Sequence, residues 1–133
     1  GNRNIMQLTA TYNTYRSAVV VRHKPLEKSD TEKAEIIRKI CAEYLGIDVT
    51  VLAGKWRKRE VVEIRQISMA ITKRNTKITL QSIGNYHGGR DHSTVIHAKD
   101  LVSDLCETDK HFLLKVRTIQ NSIEKHFTLT SKF

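Results

Sequence analysis

Apolar residues recur at intervals of three and four along most of the chain, the spacing that places them on one face of an α-helix. The four clearest stripes are Ile36, Ile37, Ile40, Cys41, Tyr44 and Leu45; Val61, Ile64, Ile67, Ala70 and Ile71; Val95, Ala98, Leu101, Val102 and Leu105; and Phe112, Val116, Ile119 and Ile123. Leu80 and Ile83 mark a shorter helix. The pattern predicts an all-α fold, a compact helical bundle.

Residues that favour helix ends separate these stripes. Candidate N-caps are Ser29, Asp30 or Thr31 for the first helix, Asp48 for a short helix through Leu52, Thr79 for the helix of Leu80, and Asp91 for the third stripe. We expect Gly46 and Gly54 to end the helices before them. Gly88 and Gly89 predict a turn, since glycine adopts positive φ at little cost.

Residues 1–28 are the least regular part of the chain. Helically spaced apolar residues (Ile5, Leu8, Tyr12, Tyr15 and Val19) stand among Thr and Val residues that would also suit a strand. We predict a weakly helical N-terminal extension that ends before Pro25. Residues 29–133 then form one domain, because a chain of 133 residues can bury one modest core.

The positive charge is concentrated in one third of the chain. The net charge is +9, and residues 55–99 hold ten Lys or Arg against three acidic residues. This predicts a polyanionic partner, nucleic acid or an acidic membrane surface. A membrane partner is disfavoured, because the basic patch KWRKRE (residues 55–60) reads as a connector rather than an amphipathic helix. We expect its Trp56 to pack against the core.

The stretch HGGRDHSTVIHA, residues 87–98, predicts a helix-turn-helix. A short capped helix, a glycine turn and a second helix with polar residues at its start are the parts of this motif. His92, Ser93 and Thr94 are short enough to reach base edges in a major groove. Asp91 could accept a hydrogen bond from cytosine or serve only as an N-cap. His97, one turn later, could contact DNA or be solvated.

The segment GGRDHSTVIHA closely resembles the signature GGRDHTTVLHA of the C-terminal DNA-binding domain of the DnaA family, the bacterial chromosomal replication initiators. Only Ser93 and Ile96 differ. KWRKREVVEIRQISMAI is similar to the basic loop and following helix of that domain. ITLQSIGNYHGGRD is similar to the first helix of its helix-turn-helix. The resemblance extends from about residue 31 to residue 127.

The resemblance implies binding to a short A/T-rich duplex box at replication origins. It assigns base contacts to Asp91, His92, Ser93, Thr94 and His97 in the major groove. It places Arg57 in the adjacent minor groove, which is narrow and negative in A/T-rich DNA. Contacts to the backbone or bases would come from Arg65, Gln66 and Leu80. On charge and position we add Lys55, Lys58, Arg59 and Arg90 as phosphate contacts.

Some residues depart from the family pattern. Glu63-Ile64 stands where proline usually precedes the Arg-Gln pair, and Leu80-Gln81 stands where Leu-Pro is usual. The initiators also carry an ATPase module, yet Gly46…Gly54-Lys55 does not match GxxxxGK[ST], so we expect no nucleotide to bind this chain. Upstream domains could belong to a longer parent. The domain could also target a mobile-element or regulatory protein to DNA, or have become a protein-interaction module.

Two other classes of function are disfavoured. His92 and His97, five residues apart, lie about 140° apart on a helix, so they do not share a face as a metal pair would. We expect no enzyme activity, metal or cofactor. Few aromatics are available to stack single-stranded bases, which disfavours RNA. Cys41 and Cys106 fit buried free thiols of a reducing compartment, so we expect a cytoplasmic, nucleoid-associated protein.

Overall fold

A computed structural model describes residues 27–133, and within this range the chain forms helices and no strand. The helices are α1 (Asp30–Leu45), α2 (Val49–Leu52), α3 (Arg59–Asn75), α4 (Leu80–Tyr86), α5 (His92–Thr108) and α6 (Lys110–Ile123). The predicted all-α bundle is confirmed. The weak helix predicted before Pro25 lies outside the described residues, and the domain boundary after residue 28 stays a prediction.

Short-range signals fix most of the helix ends. Ser29 caps α1 in a reciprocal capping box with Glu32, and Gly46 ends that helix with a φ of 72°. The side chains of Asp48, Thr79 and Asp91 accept backbone N–H groups at the starts of α2, α4 and α5. Helix α3 begins at Arg59, two residues before the predicted start, and its N-cap has no side-chain hydrogen bond.

Helix α3 lies at the centre of the bundle and packs against α1, α2, α4 and α5. The main core includes the fully buried residues Ile37, Leu52, Ile67, Val116 and Ile119. A second, smaller cluster joins α3 to the helix-turn-helix; its members are Met69, Ile83, Val95 and Ala98, with Ile78 and Leu80 packed against it. The helix-turn-helix is therefore seated on the middle of the bundle by its own apolar contacts.

Two apolar residues do not lie where the pattern placed them. Tyr44, in the last turn of α1, is 44% exposed rather than part of the core stripe. Trp56 is 55% exposed, so the expectation that it packs against the core is wrong. The main core includes neither side chain, whereas the fully buried Leu52 of α2 belongs to it.

Candidate nucleic-acid interface

The angle between α4 and α5 depends on a close approach at Gly84. The carbonyl oxygen of Gly84 accepts the N–H groups of Gly89 and Arg90, each at 3.0 Å. A Cβ on Gly84 would lie 1.8 Å from the backbone oxygen of Arg90. Gly88 and Gly89 turn the chain with φ of 88° and 78°, as predicted. Only glycine allows α4 to touch the turn this closely.

The first turn of α5 presents its polar side chains to solvent. Asp91, His92, Ser93, Thr94 and His97 are all exposed, while Val95 and Ala98 on the opposite face are buried. The start of α5 therefore has one polar face open to solvent and one apolar face packed on the bundle. A shallow depression lined by Gln66, Ser93, Thr94 and His97 shows that α3 adds Gln66 to the same surface.

Asp91 is committed to the start of α5. Its Oδ1 accepts the backbone N–H of Thr94 at 2.9 Å, the hydroxyl of Ser93 at 2.7 Å and the hydroxyl of Thr94 at 3.1 Å. These bonds lower the pKa of Asp91 to about 2, the backbone bond most strongly. Asp91 therefore acts as the N-cap, and a base contact would have to use Oδ2.

The resemblance assigned a DNA contact to Arg65, but its side chain faces inward. The side chain is 5% exposed; Nε donates to the Leu52 carbonyl at 2.7 Å, and Nη2 donates to the carbonyls of Gly54 and Trp56 at 3.2 and 3.1 Å. Burial, and to a lesser extent the charge of Arg90, lowers its pKa to about 10. The guanidinium thus holds the connector, and its predicted DNA contact stays a prediction.

Arg90, in the turn of the helix-turn-helix, binds the two residues that precede the connector. Its Nη1 donates to Ala53 at 3.2 Å and its Nη2 to Gly54 at 2.6 Å, both at backbone carbonyls. Gly88 packs on the Ala53 carbonyl, where a Cβ would lie 1.8 Å from the oxygen. Burial lowers the pKa of Arg90. The connector, the turn and α3 form one unit, and a phosphate contact by Arg90 stays a prediction.

The clamped connector presents an exposed row of side chains. Lys55, Trp56, Arg57, Lys58 and Arg59 are all exposed. Arg59 is the first residue of α3 and Lys58 its N-cap, so two cations stand at the positive end of a helix dipole. That arrangement is unfavourable for the isolated fold and favourable for a bound anion. Leu80, by contrast, is half-buried against the second core cluster. Only the part of its side chain that remains exposed is available for the predicted DNA contact.

Sequence reasoning missed the polar contacts beneath this surface. His87 is 1% exposed, with Nε2 2.7 Å from the Ser68 hydroxyl and Nδ1 2.8 Å from the Ile83 carbonyl. A carbonyl can only accept, so Nδ1 carries the proton and Ser68 donates to Nε2. The one hint in the sequence was Ser68, a polar residue within the apolar stretch ISMAI (residues 67–71). Within the described chain, no group of three potential metal ligands occurs and no helix is long and apolar enough to span a membrane.

Comparison with known proteins agrees with this geometry. A family model described as the bacterial dnaA protein helix-turn-helix matches residues 34–102, about half of the chain. The chain is 46% identical over 78 residues to the chromosomal replication initiator protein DnaA of Flavobacterium psychrophilum, which covers 59% of this chain and 16% of that protein. It is 38% identical over 93 residues to the protein of the same name from Thermus thermophilus, covering 70% and 21%. The chain spans about a fifth of the length of these relatives.

Proposed function

The chain belongs to the family of bacterial DnaA helix-turn-helix domains, and from this we infer that it binds double-stranded DNA at a specific sequence. The N-terminal turn of α5 enters the major groove, where His92, Ser93, Thr94 and His97 contact base edges. Arg57 enters the adjacent minor groove. Lys58 and Arg59 neutralise phosphates and supply attraction that is independent of sequence.

The observation that carries this proposal is the exposed first turn of α5, joined rigidly to an exposed cationic connector. Asp91, His92, Ser93 and Thr94, with His97 one helical turn later, face solvent. The glycine turn that precedes them is fixed by hydrogen bonds of Gly84 and Arg90. A bound duplex would therefore meet preformed contacts, and little ordering would oppose binding. Helix N-terminal N–H groups beside the connector also favour phosphate.

The proposed target is an A/T-rich site of the DnaA-box type, at a replication origin or a related element. A binding role of this kind needs no catalytic residue, cofactor or metal, and it places the protein with the nucleoid in the cytoplasm. Nucleotide binding would belong to other domains of a longer parent. A DnaA-like module that guides a regulatory or mobile-element protein to DNA would use the same surface and differ in its target.

Fluorescence anisotropy on two labelled duplexes, a DnaA box and its scramble, tests the proposal at two salt concentrations. We expect at least tenfold tighter binding to the box, about 1.4 kcal/mol. His92→Ala should lose about 1–3 kcal/mol of this discrimination and keep most non-specific binding. His111→Ala is the matched control, since His111 is an exposed histidine on α6, about 25 Å from the start of α5.

Two outcomes would overturn the proposal. Equal, salt-sensitive binding of the two duplexes would leave a duplex-binding module without sequence recognition at this box. No binding to either duplex would favour the alternative that the domain has become a protein-interaction module.

A further inference from the structure

We propose that the indole of Trp56 is a DNA contact that packs against the deoxyribose wall of the minor groove beside Arg57. This inference rests on the proposed function and adds to it an apolar contact next to the minor-groove arginine.

The exposure of Trp56 is the first observation. It is the one tryptophan among 133 residues, and 55% of its surface is accessible. Tryptophan is usually buried to a large extent, because its ring removes a large apolar area from water. The ring lies beside the backbone of Gly54, where an added Cβ would lie 3.5 Å from Cδ1. More than half of the residue is open to a partner.

The backbone that carries the indole is fixed. The Trp56 carbonyl accepts from Arg65 at 3.1 Å, and the Gly54 carbonyl accepts from both Arg65 and Arg90. These bonds tie the connector to α3 and to the turn of the helix-turn-helix. The indole is therefore presented at a fixed position relative to α5, and little backbone entropy is lost when a partner covers it.

The charges around the indole select the class of partner. Lys55 and Arg57 flank it and are exposed, and the depression beside it is lined by Lys55, Arg57, Val62, Arg65 and Arg90, without a carboxylate. An apolar protein surface would desolvate these cations without pairing them, which is costly. DNA offers phosphates for the cations and an apolar sugar face for the ring. The surface is complementary to a polyanion that carries apolar faces.

The position of Arg57 favours the sugar wall over the bases. Neighbouring Cα atoms are about 3.8 Å apart, so an arginine in the minor groove brings Trp56 to the rim of that groove. The rim is formed by deoxyribose. Stacking on a base would require the duplex to unstack, which costs a few kcal/mol per step. In an intact duplex, the indole therefore contacts deoxyribose rather than a base.

The single tryptophan makes the contact directly observable. Intrinsic emission is recorded while the full chain is titrated with unlabelled box duplex, in parallel with anisotropy of labelled duplex. We expect a blue shift and weaker acrylamide quenching that saturate at the same duplex concentration as the anisotropy. Trp56→Ala should weaken box binding about tenfold, in proportion to the apolar area that is no longer covered.

Two comparisons separate this contact from other effects. Trp56→Ala should leave the slope of log affinity against log salt unchanged, whereas Arg57→Ala should flatten it by about 0.9. Leu114→Ala is the matched control, because Leu114 is an exposed apolar residue on α6, 60% accessible, and its removal should not change affinity. Trp56→Phe should recover part of the loss if ring area is what matters.

Each remaining outcome contradicts the inference in a distinguishable way. If the duplex binds but emission does not change, the indole is off the DNA and the proposed function stands alone. If Trp56→Ala weakens binding without an emission change in the wild type, the ring acts only by shaping the connector. If single-stranded DNA of the same sequence shifts the emission more than the duplex does, the ring stacks on bases. If no DNA binds, the proposed function fails as well.

Discussion

Single buried polar residues support the interface from beneath. His87 lies between α3 and the end of α4, hydrogen-bonded to Ser68 and to the Ile83 carbonyl. Burial lowers its pKa to about 4; the charges of Arg38, Arg90 and Arg65 add to this, and the bond to Ile83 opposes it. The neutral ring makes a hydrogen bond to each of these two partners. The imidazolium would place a second proton against the Ser68 hydroxyl and a positive charge near three guanidinium groups.

Acidification should therefore destabilise the domain over a defined pH window. The pKa of His87 is lower in the folded state, about 4, than its ordinary value of 6.5, so the unfolded chain takes up the proton first. The free energy of unfolding should be at its full value above pH 6.5 and fall by about 3 kcal/mol towards pH 4. Urea unfolding followed by circular dichroism at several pH values measures this change.

Two variants assign the effect to His87. His87→Gln keeps a donor and an acceptor but does not titrate, so its stability should depend much less on pH between 6.5 and 4.5. His97→Gln removes an exposed histidine from α5 and should keep the wild-type dependence. Equal pH dependence of His87→Gln and the wild type would show that another group is responsible.

At the scale of the elements, the angle between the two helices of the helix-turn-helix depends on a close backbone contact as well as on side-chain packing. Gly84 lies within α4, where alanine would ordinarily stabilise a helix by up to about 1 kcal/mol. Its missing side chain instead leaves room for the carbonyl of Arg90, and its own carbonyl accepts two N–H groups of the turn. Helix propensity and tertiary contact therefore make opposite demands at this residue.

Gly84→Ala should destabilise the domain despite its better helix propensity. The added Cβ would lie 1.8 Å from the Arg90 oxygen, so the turn must move and α5 must change its angle to α4. We expect a loss of at least about 2 kcal/mol in unfolding free energy and lower discrimination between the box and its scramble. Gly89→Ala is the control: its Cβ meets open space, so its positive φ should cost only about 1 kcal/mol. Similar costs for the two variants would argue against the close approach.

At the scale of the whole molecule, the distribution of charge opposes stability at the surface where binding is proposed. Seven of the nine net positive charges lie in residues 55–99, and two of these cations stand at the positive end of α3. The other long helices begin differently: α1 has acidic residues in its first turn, and Asp91 and Asp109 cap α5 and α6. The first turn of α3 contains Glu60, but among the described residues α3 is the one long helix whose N-cap side chain makes no hydrogen bond, and two cations stand at that position instead.

Lys58→Ser should improve folding and weaken DNA binding. Serine can cap α3, where Lys58 makes no cap hydrogen bond, and should add about 1 kcal/mol to the unfolding free energy. The lost charge should flatten the salt slope of DNA binding by about 0.9. Lys110→Ser, at the first position of α6, should leave that slope unchanged. An unchanged slope in Lys58→Ser would place Lys58 off the DNA.

The sequence by itself determined the helices and the helix-turn-helix. Ser29, Gly46, Asp48, Thr79 and Asp91 act on groups within a few residues of themselves, so their effects can be deduced from the local sequence. The stripes of α3, α5 and α6 likewise follow from the helical period. The exposed polar start of α5 follows from the same period, because Val95 and Ala98 fall on the buried face and the polar residues between and before them fall on the opposite face.

Only the tertiary structure decided the roles of Arg65, Arg90, His87 and Trp56. The carbonyls at the end of the four-residue helix α2 find no N–H donors in a following helical turn. They are satisfied by guanidinium groups that lie from 11 to 37 residues later in the chain. Which distant donor meets an unpaired carbonyl depends on how the helices pack, and this information is absent from local periodicity. Because those two arginines turn inward to hold the connector, Trp56 is left facing outward beside Arg57.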